Sequence, residues 1–227
     1  MSSAVERLMT GFQELFFSEH FEGKTIIDLG CGFGTWGHTI RSMVIQGGNR
    51  AYIVGCDIFR PFLVRNKKYN AYDDLVLCDA RYLPFQPKSA DIVLSFEMIE
   101  HMNKTSGIAF LISLDHLSKD RIVLSTPCGF LEQHDISETL FEEHKSFWSD
   151  KDFAENGFQV RKYGLGLNME LAFRSFNVLS LIYKVALLRS RNKWKGVMLM
   201  AEKRQRKHSG LLESYEERLK LALNSEI

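Results

Sequence analysis

The sequence predicts an α/β fold, a doubly wound parallel sheet with helices on both faces. Three observations carry that expectation. Short apolar runs near 25–30, 51–58, 75–80, 90–96 and 120–127 alternate with helix-period segments near 35–46, 61–69, 103–118 and 147–156. Strand–helix alternation of this kind favours parallel pairing. Three of the runs end in or beside an acid, at Asp28, Asp57 and Asp79. A chain of 227 residues, 45% hydrophobic and 25% charged, is sized and composed for one core.

The elements follow in order. Val5, Leu8, Met9, Phe12, Leu15 and Phe16 fall at helical spacing, so an amphipathic helix over 1–22 precedes the first strand. Thr25–Leu29 reads as a buried strand, and Gly30, Gly32 and Gly34 as a tight turn where backbone approaches a ligand. A helix starting near Thr35 would aim its first N–H groups at that ligand. Ala51–Asp57 and Leu75–Ala80 are further strands with acids at their ends. Asn103 is the expected N-cap of the fourth helix. Gln159–Leu165 and Gly196–Lys203 are the expected last two strands. Ligands in such sheets sit at the carboxyl ends of the strands, beside the switch in strand order.

Two cofactors compete for the glycine turn. Gly32, Gly34 and Gly37 satisfy G-x-G-x-x-G, a dinucleotide pattern that is weak when it stands alone. The longer string Asp28-Leu29-Gly30-Cys31-Gly32-Phe33-Gly34 resembles the first motif of class I S-adenosylmethionine (SAM) methyltransferases. Later segments resemble that family in the same order over roughly 24–165. They are the acids at Asp57 and Asp79, the run Arg81–Ser95 into the fourth strand, Phe96–His101 after it, and Arg121–Pro127.

The resemblance implies a Rossmann-like sheet of seven strands in order 3-2-1-4-5-7-6, the last pair antiparallel, within a single domain over 1–207. It also implies SAM as cofactor. The binding residues it points to are Asp28, Gly30, Cys31, Gly32 and Gly34 in the first motif. Asp57 belongs to the ribose and Asp79 and Ala80 to the adenine, and Ile58, Phe96 and Glu97 complete the cofactor-binding set.

A sulfonium methyl is already activated, so the protein chiefly aligns the acceptor with it. A base is needed only where the acceptor holds its proton, as a hydroxyl does. Glu97, Glu100 and His101 stand at i, i+3 and i+4, so one helical turn would place them on one face, and His144 is a further imidazole. Glu100, His101 and His144 are therefore the candidate catalytic residues. The same run resembles the Glu-x-x-Glu-His plus distant His of small-RNA 3′-terminal ribose methyltransferases and ubiquinone-precursor O-methyltransferases. That resemblance implies a divalent metal, Mg²⁺, Mn²⁺, Co²⁺ or Zn²⁺, on Glu97, Glu100, His101 and His144. Thr126-Pro127-Cys128-Gly129 stands where the RNA group has Thr-Pro-Asn, and no N-P-P-Y or D-P-P-Y follows the fourth strand.

The rest of the chain bears on partners. Asn168–Arg189 is apolar, and its stretch Ser175–Leu188 has Lys184 as its only charge. Fourteen residues are too few for a bilayer, which takes ~20, so 168–190 reads as a helical insert, lid or interfacial helix. Gln159–Lys207 holds twelve Lys or Arg against two Glu, while Glu132–Phe158 holds eight acids against two Lys. That asymmetry is expected of a chain that meets an anionic substrate, a nucleic acid or an anionic membrane surface. Residues 208–227 form an expected C-terminal helix, docked on the domain or on a second copy in a homodimer. Cys31, Cys56, Cys78 and Cys128 lack metal-type spacing and read as reduced, in keeping with a cytoplasmic protein, membrane-peripheral if the insert lies on lipid. The expected function is methyl transfer from SAM to a hydroxyl of a small molecule or a lipid- or glycan-type metabolite. The alternatives are an RNA ribose 2′-O-methyltransferase, a non-catalytic SAM-binding or scaffold protein, and a nicotinamide-dependent oxidoreductase.

Overall fold

In the computed structural model, the residues described are Phe12, Leu15, Phe16, 19–128, 143–163, 198–205 and Lys220. Seven strands are β1 (Lys24–Leu29), β2 (Ala51–Asp57), β3 (Asp74–Leu77), β4 (Ala90–Phe96), β5 (Ser118–Pro127), β6 (Gln159–Tyr163) and β7 (Met198–Arg204). The helices are α1 (Thr35–Gln46), α2 (Arg60–Tyr69), α3 (Lys104–Leu117) and α4 (Asp150–Glu155), with one 3₁₀ turn at Ile99–His101. The strands form one sheet in the order β3-β2-β1-β4-β5-β7-β6. β1 to β5 pair in parallel, and β7 runs antiparallel to both β5 and β6.

Both faces of the sheet are apolar at its centre because β1, β2, β4 and β5 are buried on two sides. Ile26, Ile53, Ile92 and Leu94 face a layer built from Phe12, Phe16, Trp36, Ile40 and Leu63. Their sequence neighbours Ile27, Val54 and Val93 face Phe110, Leu114, Trp148 and Phe153 on the other side. Each fully buried side chain of this size contributes about 1.5–3 kcal/mol. Phe12, Leu15 and Phe16, the described part of the expected first helix, are helical. They are held at the amino edge of the sheet by Arg121, a buried cation on β5. It donates to the Leu15 carbonyl at 2.9 Å and pairs with Glu19 at 2.6 Å and Glu202 at 2.7 Å.

Two boundaries differ from the sequence reading. β3 stops at Leu77, so Asp79 and Ala80 sit in the following turn rather than on a strand. There the Asp79 carboxylate accepts the Arg81 N–H, and Tyr82 N–H donates to the Asp79 carbonyl, which bends the chain away. The turn after β4 is also shorter than one α-turn. Only Ile99–His101 is helical, and Glu97 lies outside it with φ 52°. The expected common face of Glu97, Glu100 and His101 therefore does not form.

Asn103 caps α3, its Oδ1 accepting the Ser106 N–H at 2.8 Å. The fourth glycine that matters is in that helix. A Cβ on Gly107 would overlap the Trp148 ring. Glycine in a helix costs roughly 0.5–1 kcal/mol relative to alanine, and here it makes room for the indole that docks the segment 143–150. Trp148 is almost fully buried, bridges to Cys128 beyond β5, and donates Nε1–H to Ser146 at 2.9 Å. The expected insert at 168–190 lies outside the described residues, as does all of 208–227 except Lys220, which is helical. Among the described residues no helix is long and apolar enough to cross a membrane.

Gly107→Val tests the docking. Overpacking of a close-fitted site costs typically 1–3 kcal/mol. Urea denaturation should show a loss in that range, and an unchanged midpoint would mean that Trp148 does not depend on the missing side chain.

Candidate active site

The glycine turn is shaped by what its backbone must avoid. Gly30, Gly32 and Gly34 have φ of 74°, 48° and 84°, the left-handed region that favours glycine. A Cβ on Gly30 would strike Met98, whereas one on Gly32 would meet open space. The N–H groups of the turn face inward. Gly30 and Cys31 both donate to the Cys56 carbonyl, at 2.9 and 2.8 Å, and Gly34 donates to the Cys31 carbonyl at 2.8 Å. Gly32 donates to Asp57 Oδ2 at 2.8 Å. A pyrophosphate site needs such groups pointing at the ligand, so this turn is not arranged as a dinucleotide cradle.

Asp57 ends β2 and accepts a second backbone N–H, from Phe59 to Oδ1, at 2.8 Å. Both carboxylate oxygens are thus held by backbone donors, which fixes the Asp57 side chain at the end of β2. A cavity of about 550 Å³ opens here, at the carboxyl ends of the strands. Gly30, Cys31, Gly32, Asp57 and Ile58 line one side of it. Asp79 and Ala80 line the next, and Phe96, Glu97 and His101 the far side. Arg81 fixes Asp79, its Nε lying 3.0 Å from both carboxylate oxygens. This hydrogen bonding, ahead of all else, holds the Asp79 pKa below the usual carboxylate value.

Four expected site residues do not line the cavity: Asp28, Gly34, Glu100 and His144. Asp28 lies beneath the turn, almost wholly buried, with Oδ2 accepting the Tyr72 hydroxyl at 2.7 Å and Oδ1 without a partner. Burial raises its pKa to about 7. The Tyr72 hydrogen bond opposes that shift, and the Asp57 charge adds to it. Gly37 exists for the same tyrosine, since a Cβ there would overlap the Tyr72 ring.

Beyond β4 the acid/base group assembles differently from the sequence reading. Glu100, His101 and His144 have one ligand atom each, all within 4.8 Å of one another. Glu97 is not in that group. Its Oε1 accepts the Ser125 hydroxyl at 2.8 Å, and its left-handed φ turns the chain between it and Glu100. The four-ligand expectation is thus replaced by a three-ligand cluster. Glu100 is buried with neither carboxylate oxygen hydrogen-bonded. Burial, then the Glu97 charge, pushes its pKa well above the usual value. His101 Nδ1 lies 3.1 Å from the Glu143 carbonyl, which can only accept, so the Nδ1–H tautomer leaves Nε2 with its lone pair. Burial and the neighbouring His101 lower the pKa of His144. Backbone N–H groups of Lys145 and Ser146 donate to the Glu100 carbonyl, which ties this segment to the turn.

The sequence reading missed several residues. Met98, Trp36, Asn103, Ser106 and Lys145 also line the cavity. They carry no motif, and their place follows from how loops pack. Asn66 carries a signal in its helical spacing. It stands three residues after Leu63 on α2, and these two are the buried positions of that helix.

Comparison with known proteins places these features. Residues 26–120 match the methyltransferase-domain family. An uncharacterised protein of Methanocaldococcus jannaschii is 25% identical over 169 residues, 69% of this chain and 68% of that protein. "Probable tRNA methyltransferase 9B" of Homo sapiens is 29% identical over 90 residues, 39% of this chain and 17% of that protein. Among solved structures, magnesium protoporphyrin IX methyltransferase from Synechocystis PCC 6803, with bound SAH, has a TM-score of 0.57 at 13% identity. That likeness covers 89% of this chain and 84% of that chain, and it speaks to the fold.

Asp28 makes stability depend on pH. Its folded pKa, about 7, lies above the reference 3.8. As pH rises between those values the unfolded chain loses the proton while the folded chain keeps it. Stability then falls by about 1.4 kcal/mol per pH unit, and the slope ends near pH 7. Asp28→Asn should remove this term and narrow the loss between pH 5 and pH 8 by roughly 3 kcal/mol. Urea titrations of both proteins at the two pH values check it.

Proposed function

We propose that the chain is a class I SAM-dependent methyltransferase and that it methylates a hydroxyl of a small molecule or of a lipid- or glycan-type metabolite. One observation carries the hydroxyl. An amine acceptor brings its own lone pair, whereas a hydroxyl needs a group to take its proton. The cavity's far wall holds His101, backed by His144 and Glu100.

The roles follow from the geometry. SAM supplies a methyl group on a sulfonium leaving group, so the protein's part is binding and alignment. Asp57, at the end of β2 and on the cavity wall, accepts the two ribose hydroxyls. Asp79, fixed by Arg81, accepts the adenine amino group, with the Ala80 backbone against the ring and Ile58 over its face. Gly30, Cys31 and Gly32 form the wall at the methionine end, and Phe96 and Glu97 close it towards the acceptor. Asp28 and Gly34 act through the turn rather than by contact. His101 takes the acceptor's proton on Nε2 as the oxygen gains the methyl, and its Nδ1–H stays on the Glu143 carbonyl. The lowered pKa of His144 keeps that ring neutral near pH 7, which limits charge repulsion when His101 becomes protonated.

The same cluster fits a divalent metal. Glu100 is a buried carboxylate with unused oxygens, and two imidazoles stand beside it. One carboxylate and two imidazoles suit Mn²⁺, Co²⁺ or Zn²⁺ better than Mg²⁺. Such an ion would lower the acceptor hydroxyl's pKa when bound.

A second reading, an RNA ribose hydroxyl, draws on the likeness to the human tRNA methyltransferase sequence and on the basic stretch 159–207. An anionic membrane surface is the other partner that stretch suits. A homodimer through 208–227 and a cytoplasmic location complete the proposal.

Calorimetry with SAM, SAH and NAD tests the cofactor. Asp57→Ala should weaken SAM at least tenfold, since each charged hydrogen bond contributes about 1.5–3 kcal/mol. Unchanged affinity in a folded variant would remove the ribose assignment. Methyl transfer to a panel of hydroxyl, amine and RNA acceptors tests the rest, and turnover confined to amines would overturn the hydroxyl reading. Exhaustive chelation, with and without added Mn²⁺, separates the two roles of the cluster. Full activity in chelator leaves His101 as a simple base, while loss in chelator and recovery with Mn²⁺ supports the metal.

A further inference from the structure

The glycine turn is built from residues with few intrinsic constraints. Gly30, Gly32 and Gly34 all sit at positive φ, and glycine gives the unfolded turn more freedom to lose than any other residue. A cofactor that packs against this turn needs it held in one shape beforehand. On the N–H side of Gly32 the backbone is held by Asp57, at 2.8 Å. Its carbonyl side is held from a different element. Asn66 on α2 donates Nδ2–H to the Gly32 carbonyl at 2.9 Å, and its second N–H reaches Cys31 Sγ at 3.6 Å.

Three features single this side chain out. It is 1% exposed, where an amide is unfavourable unless its bonds matter. Its Oδ1 has no partner, so the residue keeps a buried orphan acceptor for the sake of its two N–H bonds. The amide orientation is fixed by its partner, since a carbonyl can only accept. That Oδ1 also stands where a Cβ on Gly34 would go, so Asn66 blocks the turn from sliding towards α2 as well as tethering it.

We infer that Asn66 is a positioning residue for SAM, holding the Gly32 carbonyl from α2 while Asp57 holds the Gly32 N–H from β2. The inference rests on the cavity being the SAM site. It adds a residue that never touches the cofactor and acts through the Gly32 carbonyl. The clamp also couples the turn to α2's aromatic edge, where Phe33 stands 4.6 Å from Phe62 and both line the cavity. A loosened turn should therefore widen the cavity's mouth and not only its floor.

Asn66→Ala removes both donors, and Asn66→Asp keeps the shape while setting an oxygen against the Gly32 carbonyl. SAM binding is measured by calorimetry at a temperature where circular dichroism shows each variant folded. Hydrogen exchange is followed on peptides covering 30–34 and, as control, 90–96. Either variant should weaken SAM five- to twentyfold, with faster exchange in 30–34 and none in 90–96. Combining Asn66→Ala with Asp57→Asn should cost less than the product of the two single effects, because both act on the backbone of one residue, Gly32. SAM affinity within twofold of wild type in a folded Asn66→Ala protein overturns the inference. So does equal acceleration of exchange in both peptides, or failure of both variants to fold, since the contact would then serve the sheet as a whole. Absence of SAM binding in the wild type would instead overturn the cofactor site itself.

Discussion

A single carboxylate, Asp57, joins the two strands on which the cofactor site rests. Parallel pairing of β1 with β2 sets Leu29 beside Cys56, so the turn after β1 starts level with the end of β2. Two loop N–H groups then converge on the Cys56 carbonyl and a third on Asp57. The turn cannot take this path unless its residues accept positive φ, which is why glycines alternate there. Cavity floor, the acid on its wall and the helix start are thus consequences of one register. A slip of one residue between β1 and β2 would turn Asp57 to the other face.

The acceptor side depends on a different and longer-range contact. His144 and Lys145 lie more than forty residues from Glu100, yet their segment is bonded to the Glu100 carbonyl and anchored by Trp148 in the space left by Gly107. This packing brings an imidazole next to a buried carboxylate whose oxygens have no hydrogen bond. Such a group costs free energy to keep. Its presence beside two histidines is the reason to look for chemistry there rather than for stability.

The acids Asp28 and Asp79 differ in burial, with different consequences. Asp28 is half satisfied by Tyr72 and has its pKa raised to about 7, mainly by burial. Asp79 is more open and is held low by Arg81. The two acids look equivalent in the sequence, yet Asp28 lies beneath the turn and Asp79 lines the cavity.

Much of this was legible in the sequence. Apolar runs alternating with helix-period segments determined the parallel sheet, because burial on two faces requires continuous hydrophobic strands. The alternate glycines and the acid at Asp57 marked the turn and its partner, because few residue types tolerate that backbone or that role. The resemblance carried the strand order, which no local pattern contains. What only the tertiary structure decided lies where distant segments meet. Glu97 leaves the expected Glu-x-x-Glu-His face because its backbone adopts φ 52° to meet Ser125 on β5. Asp28 is withdrawn beneath the turn because Tyr72, forty-four residues away, takes its carboxylate. Asn66 reaches the glycine turn from the far side of β2. Local sequence sets what a backbone segment prefers, but the partner of a buried polar group is chosen by the packing of elements far apart in the chain.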